Sequence, residues 1–216
     1  MSRPMRVLVA CEFSGIVREA FRRLGHDAWS CDIVPALDGS PYHIQCDIRE
    51  LLSEKFQRMG TYSQVPRQWD VLIGHPPCDR LLGAGSLHWP KWKASGEQDA
   101  AIEFFLWLWN APVPKIAIEN PVGIMTKRLF KPQYIDPWQF GHLESKKTGL
   151  WLKGLPELKP TKYVYTEMMK LPRHQRERVH YESPGVKNGL TRSQRRSIIF
   201  TGIADAMAAQ WGGDAR

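Results

Sequence analysis

The chain has 216 residues, 30 lysines and arginines against 22 aspartates and glutamates, and a hydrophobic share of 43%. This length and composition exclude a wholly disordered chain and suit one compact domain with little room for a second module. The net charge of +8 points either to a polyanionic partner, of which nucleic acid is the commonest, or to a solvated basic face.

Met1 to Met5 carries no apolar leader segment, so secretion is not indicated. Arg6 to Cys11 is a short, nearly all-apolar run, the pattern of a strand buried on both faces. Ser14 is placed to cap the helix that follows, whose apolar face is Ile16, Val17, Ala20, Phe21 and Leu24 and whose end is Gly25. Ala28 to Ile33 predicts a second strand ending at Asp32, and Tyr42 to Ile48 a third ending near Asp47. A helix from Leu51 and a fourth strand, Trp69 to Gly74, come next. Glu97 to Asn110 is a strongly apolar helix and Lys115 to Glu119 a fifth strand; the longest apolar run, around Phe104 to Ala111, is too short to span a bilayer and is followed by Pro112 and Pro114. Strands alternating with helices predict an α/β fold with a doubly wound, mostly parallel sheet.

Beyond Met125 the pattern changes: five prolines, Pro132, Pro137, Pro156, Pro160 and Pro172, break up the stretch from Lys131 to Arg173, so irregular structure or hairpins are expected, with Leu150 to Lys153 as a strand. Thr191 to Trp211 predicts a terminal helix with Gly202 as its break point. The basic charge concentrates here. Lys170 to Phe200 holds eight lysines and arginines, among them Arg173, Arg176, Arg178, Arg192, Arg195 and Arg196, against Glu177 and Glu182. Cys11, Cys31, Cys46 and Cys78 show no CxxC spacing and no zinc-type pairing with histidine, so free thiols, no metal and a cytoplasmic location are expected.

Ligands of a doubly wound sheet bind at the carboxyl ends of its strands. Glu12 to Gly15 is a tight turn into a helix, where Gly15 permits close backbone approach. Asp32 and Asp47 are carboxylates at strand ends, suited to ribose hydroxyls or, equally, to capping a turn or helix. Gly74 to Cys78 is the most pointed feature: Pro76 and Pro77 stiffen a turn that presents a cysteine directly after a buried strand. A thiolate nucleophile there calls for a lowered thiol pKa. Glu119, followed by Asn120, ends the next strand and comes close to Cys78 if the two strands are neighbours.

In this order Phe13 to Gly15, Asp32, Asp47, Pro76 to Cys78 and Glu119-Asn120 resemble the cytosine-C5 DNA methyltransferases. Trp138 to Gly141, Ser145 to Leu152 and Gly202 to Trp211 are similar to the short members carried by bacteriophages and prophages. The resemblance implies a Rossmann-like S-adenosylmethionine-dependent methyltransferase, with residues 1–152 as catalytic core, 153–190 as a reduced recognition region and 191–216 as a C-terminal helix packing back on the core. It implies that Cys78 attacks C6 of cytosine and that Glu119 holds N3 and the 4-amino group, with Asn120 and Lys146 completing the catalytic set. S-adenosylmethionine would lie against Phe13, Ser14, Gly15, Asp32, Ile33, Asp47, Ile48 and Pro76. DNA, as a duplex with a flipped base or as a single strand, would meet Arg80, Lys147 and the arginines of the basic segment. The stretch from Asp79 to Gly96 would close over the base.

Three departures from that family stand out. Ile16 to Arg18 follows Gly15 where the family has more glycine, Pro121 follows Glu119-Asn120, and Lys146 and Thr148 stand in place of the two arginines of the family's Gln-x-Arg-x-Arg strand. Little chain is left to read a long DNA site, so low or short-site specificity is expected. The alternatives are a free cytosine nucleotide as substrate, a transferred group other than methyl, or a catalytically silent nucleic-acid-binding protein.

Overall fold

The computed structural model describes residues 3–58 and 64–212. Val7 to Ala10 carries no polar side chain and is completely buried in β1 (Arg6–Ala10), as a strand with helices on both faces must be. Beside it run β2 (Asp27–Asp32), β3 (His43–Gln45), β4 (Val71–Gly74) and β5 (Lys115–Pro121), all parallel. With β6 (Gln133–Ile135) and β7 (Thr148–Lys153) they form a seven-stranded sheet in the order β3-β2-β1-β4-β5-β7-β6, in which β7 runs antiparallel to both neighbours.

The helices are, in chain order, α1 (Ile16–Arg23), α2 (Ile48–Leu51), α3 (Glu54–Arg58), α4 (Trp89–Ala94), α5 (Glu97–Trp109), α6 (Met125–Arg128), α7 (Tyr165–Met169), α8 (Arg173–Arg176), α9 (Arg178–Tyr181), α10 (Arg192–Ser197) and α11 (Thr201–Met207). Alternate residues of the strands serve opposite faces, as the pleat requires. Val7, Val9, Val71 and Ile73 pack with α1 and α11 on one side. Leu8, Leu72, Ile116 and Ile118 pack with α5 and Trp151 on the other. Trp151 is fully buried, stands edge-on to Phe105 at 5.1 Å and donates its Nε1–H to the Phe130 carbonyl at 2.8 Å, so its polar atom is satisfied inside the core. Among the described residues no helix is long and apolar enough to cross a membrane.

The alternation of strands and helices, the apolar helix from Glu97 and the end of α1 at Gly25 match the sequence reading. Several details differ. The third strand stops at Gln45, because the Asp47 carboxylate accepts the Arg49 N–H at 2.8 Å and caps α2, which starts three residues ahead of the expected Leu51. Ile48 therefore belongs to a helix and is buried in the core. Ser14 is not the cap of α1. Gly15 takes that place with φ 74°, and Glu12 supplies the acceptor, taking the Val17 N–H at 2.7 Å and the Arg18 N–H at 3.3 Å. The terminal helix breaks between Ser197 and Thr201, not at Gly202. Gly202 lies inside α11, where a Cβ would stand 2.1 Å from the Phe140 carbonyl oxygen, so glycine there permits close packing. The stretch expected to close over the base is largely helical, with a 3₁₀ turn over Gly83–His88 followed by α4.

Candidate active site

The strand order reverses between β1 and β4, and a reversal of this kind opens a crevice at the carboxyl ends of the strands. On the β1 side Cys11 adopts φ 58°, a left-handed turn uncommon for a residue with a Cβ. It directs Glu12 back under α1. Glu12 is buried, and burial raises its carboxyl above the ordinary glutamate value against the opposing His75 charge and the Val17 and Arg18 amides. Arg18 is also buried. Its guanidinium donates to the Ser30 hydroxyl at 2.8 Å, to Glu19 at 2.9 Å and to Asp38, and lies where a Cβ on Gly15 would fall. The close approach at Gly15 is thus made by the protein's own arginine.

At the end of β2, half-buried Asp32 accepts the Val34 N–H at 3.1 Å through Oδ1. Burial raises its carboxyl, against the Val34 amide and the His43 charge. Ile33 beside it is 71% exposed. Asp47 holds Arg49 through both its amide and its guanidinium, and the guanidinium bond leads the causes that lower its carboxyl. A half-buried carboxylate next to an exposed apolar side chain suits the hydroxyls and flat base of a nucleoside, so Asp32, Ile33 and the turn from Glu12 to Gly15 fit S-adenosylmethionine. Asp47 is already engaged by Arg49, and Ile48 is buried in the core.

Across the crevice, the pairing of Gly74 with Ile118 sets the next two residues, His75 and Glu119, side by side. His75 Nδ1 lies 3.4 Å from Glu119 Oε2. β5 runs two residues past the expected Glu119 and pairs Glu119 with Leu150 and Asn120 with Gly149 of β7. Asn120 is 1% exposed and donates its Nδ2–H to the Pro76 carbonyl at 3.1 Å, which ties the Pro76-Pro77 turn to β5. A second fastening joins the segments beyond. Gly83 N–H bonds the Val122 carbonyl at 2.9 Å, Ile124 N–H bonds the Leu81 carbonyl at 2.9 Å, and a Cβ on Gly123 would meet the Leu81 oxygen at 1.9 Å. Because β7 is antiparallel, its start also lies at this end of the sheet. Asp136 holds it there, accepting the Lys146 N–H at 3.0 Å and the Ser145 hydroxyl at 3.3 Å.

Glu119, Lys146 and Thr148 line a narrow recess closed on its far side by Ser197, Ile199, Phe200 and Ile203. Lys146 Nζ donates to the Arg196 carbonyl at 3.0 Å, and Arg196 Nε is buried without a partner among the described residues. Burial raises the Glu119 carboxyl, but His75 and Lys146 outweigh it and hold the group below the ordinary glutamate value. Cys78 differs from expectation. Burial pushes its thiol up to about 11, Asp79 and Glu119 add to the rise, and Lys146 and Arg196 oppose it. A thiol pKa lowered in advance, as the sequence reading required, is not found, because two carboxylates and desolvation prevail over two cations.

The basic segment is more self-engaged than its composition indicates. Arg195 is largely buried, pairs with Glu182 at 2.8 Å and donates to the carbonyls of Ser183, Gly185 and Leu190, so it braces this segment and is not presented to a phosphate. Arg178 pairs with Glu144, Arg192 donates to the Glu182 carbonyl, and Arg176 lies within 3.5 Å of the Leu171 carbonyl. Arg173 pairs with Glu177 at 2.9 Å yet stays exposed. Arg80 pairs with Glu97 and covers the Trp92 ring, and Lys147 covers the Tyr134 ring. Glu12, His75 and Asp136 escaped the sequence reading. An acid four residues ahead of the helix start was the available signal for Glu12, whereas His75 and Asp136 show nothing until the strands are paired. Among the described residues, no cluster of histidine, cysteine and carboxylate side chains converges to hold a metal ion.

Sheet order, the antiparallel seventh strand and the crevice at the β1–β4 reversal define a Rossmann-like methyltransferase fold. A solved protein encoded within an Escherichia coli prophage and described as a DNA modification methyltransferase shares it, with a TM-score of 0.52 at 16% identity, over 74% of this chain and 51% of that one. The Entamoeba histolytica methyltransferase EhMeth gives 0.47 at 15% identity over 75% and 58% of the two chains. The Schizosaccharomyces pombe methyltransferase Dnmt2 gives 0.42 at 16% over 71% and 50%. The fold conclusion rests on the first. This chain spans about half the length of these structures. No protein-family model and no curated protein matches the sequence.

Proposed function

We propose that this protein is a DNA methyltransferase that modifies C5 of cytosine through a covalent Cys78 adduct. What supports the reading is that Cys78 follows β4 and Glu119 lies near the end of the neighbouring β5, and that the charges of Glu119 and Lys146 both act on the Cys78 thiol. A binding protein needs neither a cysteine on a stiffened turn nor a half-buried glutamate on the neighbouring strand. The prophage protein's description as a DNA modification methyltransferase adds support at the level of fold.

In this reading the Cys78 sulfur forms a bond to C6 of a base turned out of the stack into the crevice, since an atom inside a stacked duplex is out of reach. Glu119 holds N3 and the 4-amino group, and a proton at N3 stabilises the electron-rich ring. Neutralising Glu119 in that contact removes one of the charges that raise the Cys78 thiol, and Lys146 and Arg196 then favour the thiolate. Lys146, fixed by Asp136 and the Arg196 carbonyl, faces the oxygen side of the base. S-adenosylmethionine, held by Asp32, Ile33 and the turn around Gly15, would supply the methyl group. Asn120 keeps the turn that carries Cys78 rigid.

The test is incubation with labelled S-adenosylmethionine and, in parallel, duplex DNA, single-stranded DNA, RNA and dCMP. Label at C5 of DNA cytosine is expected. A covalent adduct with 5-fluorocytosine DNA should form in the native protein and be absent in Cys78→Ala. Label on dCMP alone would replace DNA by a free nucleotide, and methylation by Cys78→Ala would overturn the nucleophile.

A further inference from the structure

His75 sits at the junction of the two halves of the crevice. Its amide donates to the Ala10 carbonyl at 2.9 Å, which places it beside the turn that begins at Cys11 and Glu12. Its side chain is 9% exposed, Nδ1 faces Glu119 at 3.4 Å, and Nε2 is buried without a hydrogen-bond partner among the described residues. A buried, unpaired ring nitrogen is costly to keep, and this one lies among acids. Its charge acts on Glu12 in the turn after β1, on Asp32 at the end of β2 and on Glu119 of β5. Lys146, from the start of β7, acts on the same Glu119.

We propose that His75 is a positioning residue that stores the proton Glu119 presents to the base, and so links the cofactor side of the crevice to the base side. This rests on the cytosine-C5 reading above. In the empty site Glu119 is held ionised, the wrong form to donate to N3. An imidazolium at His75 corrects this in one step: the Nδ1–H bond breaks, an O–H bond forms at Glu119 Oε2, and a cation facing an anion becomes two neutral groups. The transferred proton then lies between Glu119 and N3. The same step removes the negative charge beside Cys78. When product leaves, the proton returns to Nδ1. The charge of His75 also acts on the buried Glu12 carboxyl, which couples the ring to the cofactor side of the crevice. No group outside the protein is consumed.

The experiment compares the native protein with His75→Gln, which keeps a hydrogen-bond donor and cannot carry a proton. For the DNA reaction, kcat should fall at least tenfold with the KM for S-adenosylmethionine changed less than threefold, and the alkaline limb of the kcat–pH profile should disappear. Unchanged kcat with the native limb in His75→Gln would overturn the proposal, because a structural role is rescued by the conservative variant. A second arm needs no turnover. In the protein alone, Glu119→Gln and Glu12→Gln should each move the ring-nitrogen NMR resonances of His75, and resonances that respond to neither would overturn it. Absence of any adduct with 5-fluorocytosine DNA in the native protein would refute the cytosine-C5 reading, and the NMR arm would still decide whether His75 joins the two carboxyls.

Discussion

The Asn120 side chain joins the cysteine turn to the glutamate strand, and its loss has a calculable cost. In Asn120→Ala the Pro76 carbonyl loses the donor that reaches it at 3.1 Å, in a place where both residues are buried. A buried acceptor left unpaired costs about 1–3 kcal/mol. For a domain of this size that lowers Tm by roughly 2–12 °C, measurable by urea and thermal unfolding. The effect on Cys78 is larger in proportion, because a nucleophile displaced by about 1 Å loses on the order of a hundredfold in rate. The rate of adduct formation with 5-fluorocytosine DNA should therefore fall far more than stability does. Asn120→Asp should be worse than Asn120→Ala, since a carboxylate cannot donate to the carbonyl and adds a second acid beside Glu119. A variant that loses the expected stability but traps DNA at the native rate would show that the turn holds Cys78 without this bond.

Four further outcomes are expected. Lys146→Met removes a cation that opposes the rise of the Cys78 thiol, so alkylation of Cys78 by iodoacetamide at pH 8 should slow by roughly threefold to tenfold. Glu12 is raised by burial, so the folded protein keeps a proton that the unfolded chain has already released, and its contribution to stability falls as pH rises past the ordinary glutamate range. In Glu12→Gln that downward slope above about pH 5 should vanish from urea-unfolding free energies, with about 1 kcal/mol lost from the weaker cap of α1. Arg195→Ala should lower Tm, because Arg195 braces four groups of its own segment, whereas Arg173→Ala should weaken DNA retardation at unchanged Tm. Gly123→Ala drives a Cβ into the Leu81 carbonyl and should reduce both stability and trapping, as read by unfolding and adduct yield.

The amino-acid sequence by itself determined the alternation of strands and helices, because runs such as Val7 to Ala10 and Leu72 to Ile73 are apolar on both faces and can rest only inside a covered sheet. It also singled out Cys78 and Glu119, since a proline pair before a cysteine and an acid in an apolar strand are locally visible departures from a plain core. Tertiary structure alone decided what surrounds them. The register of Gly74 against Ile118 brings His75 to Glu119, the antiparallel direction of β7 carries Lys146 to the same end of the sheet, and the break before α11 places Arg196 there too. These partners are 44 to 50 positions apart or lie on separate elements, and no local pattern encodes such pairings. The thiol of Cys78 makes the same point: its motif called for a low pKa, but burial and two carboxylates raise it to about 11, because electrostatic balance depends on where every neighbour finally sits.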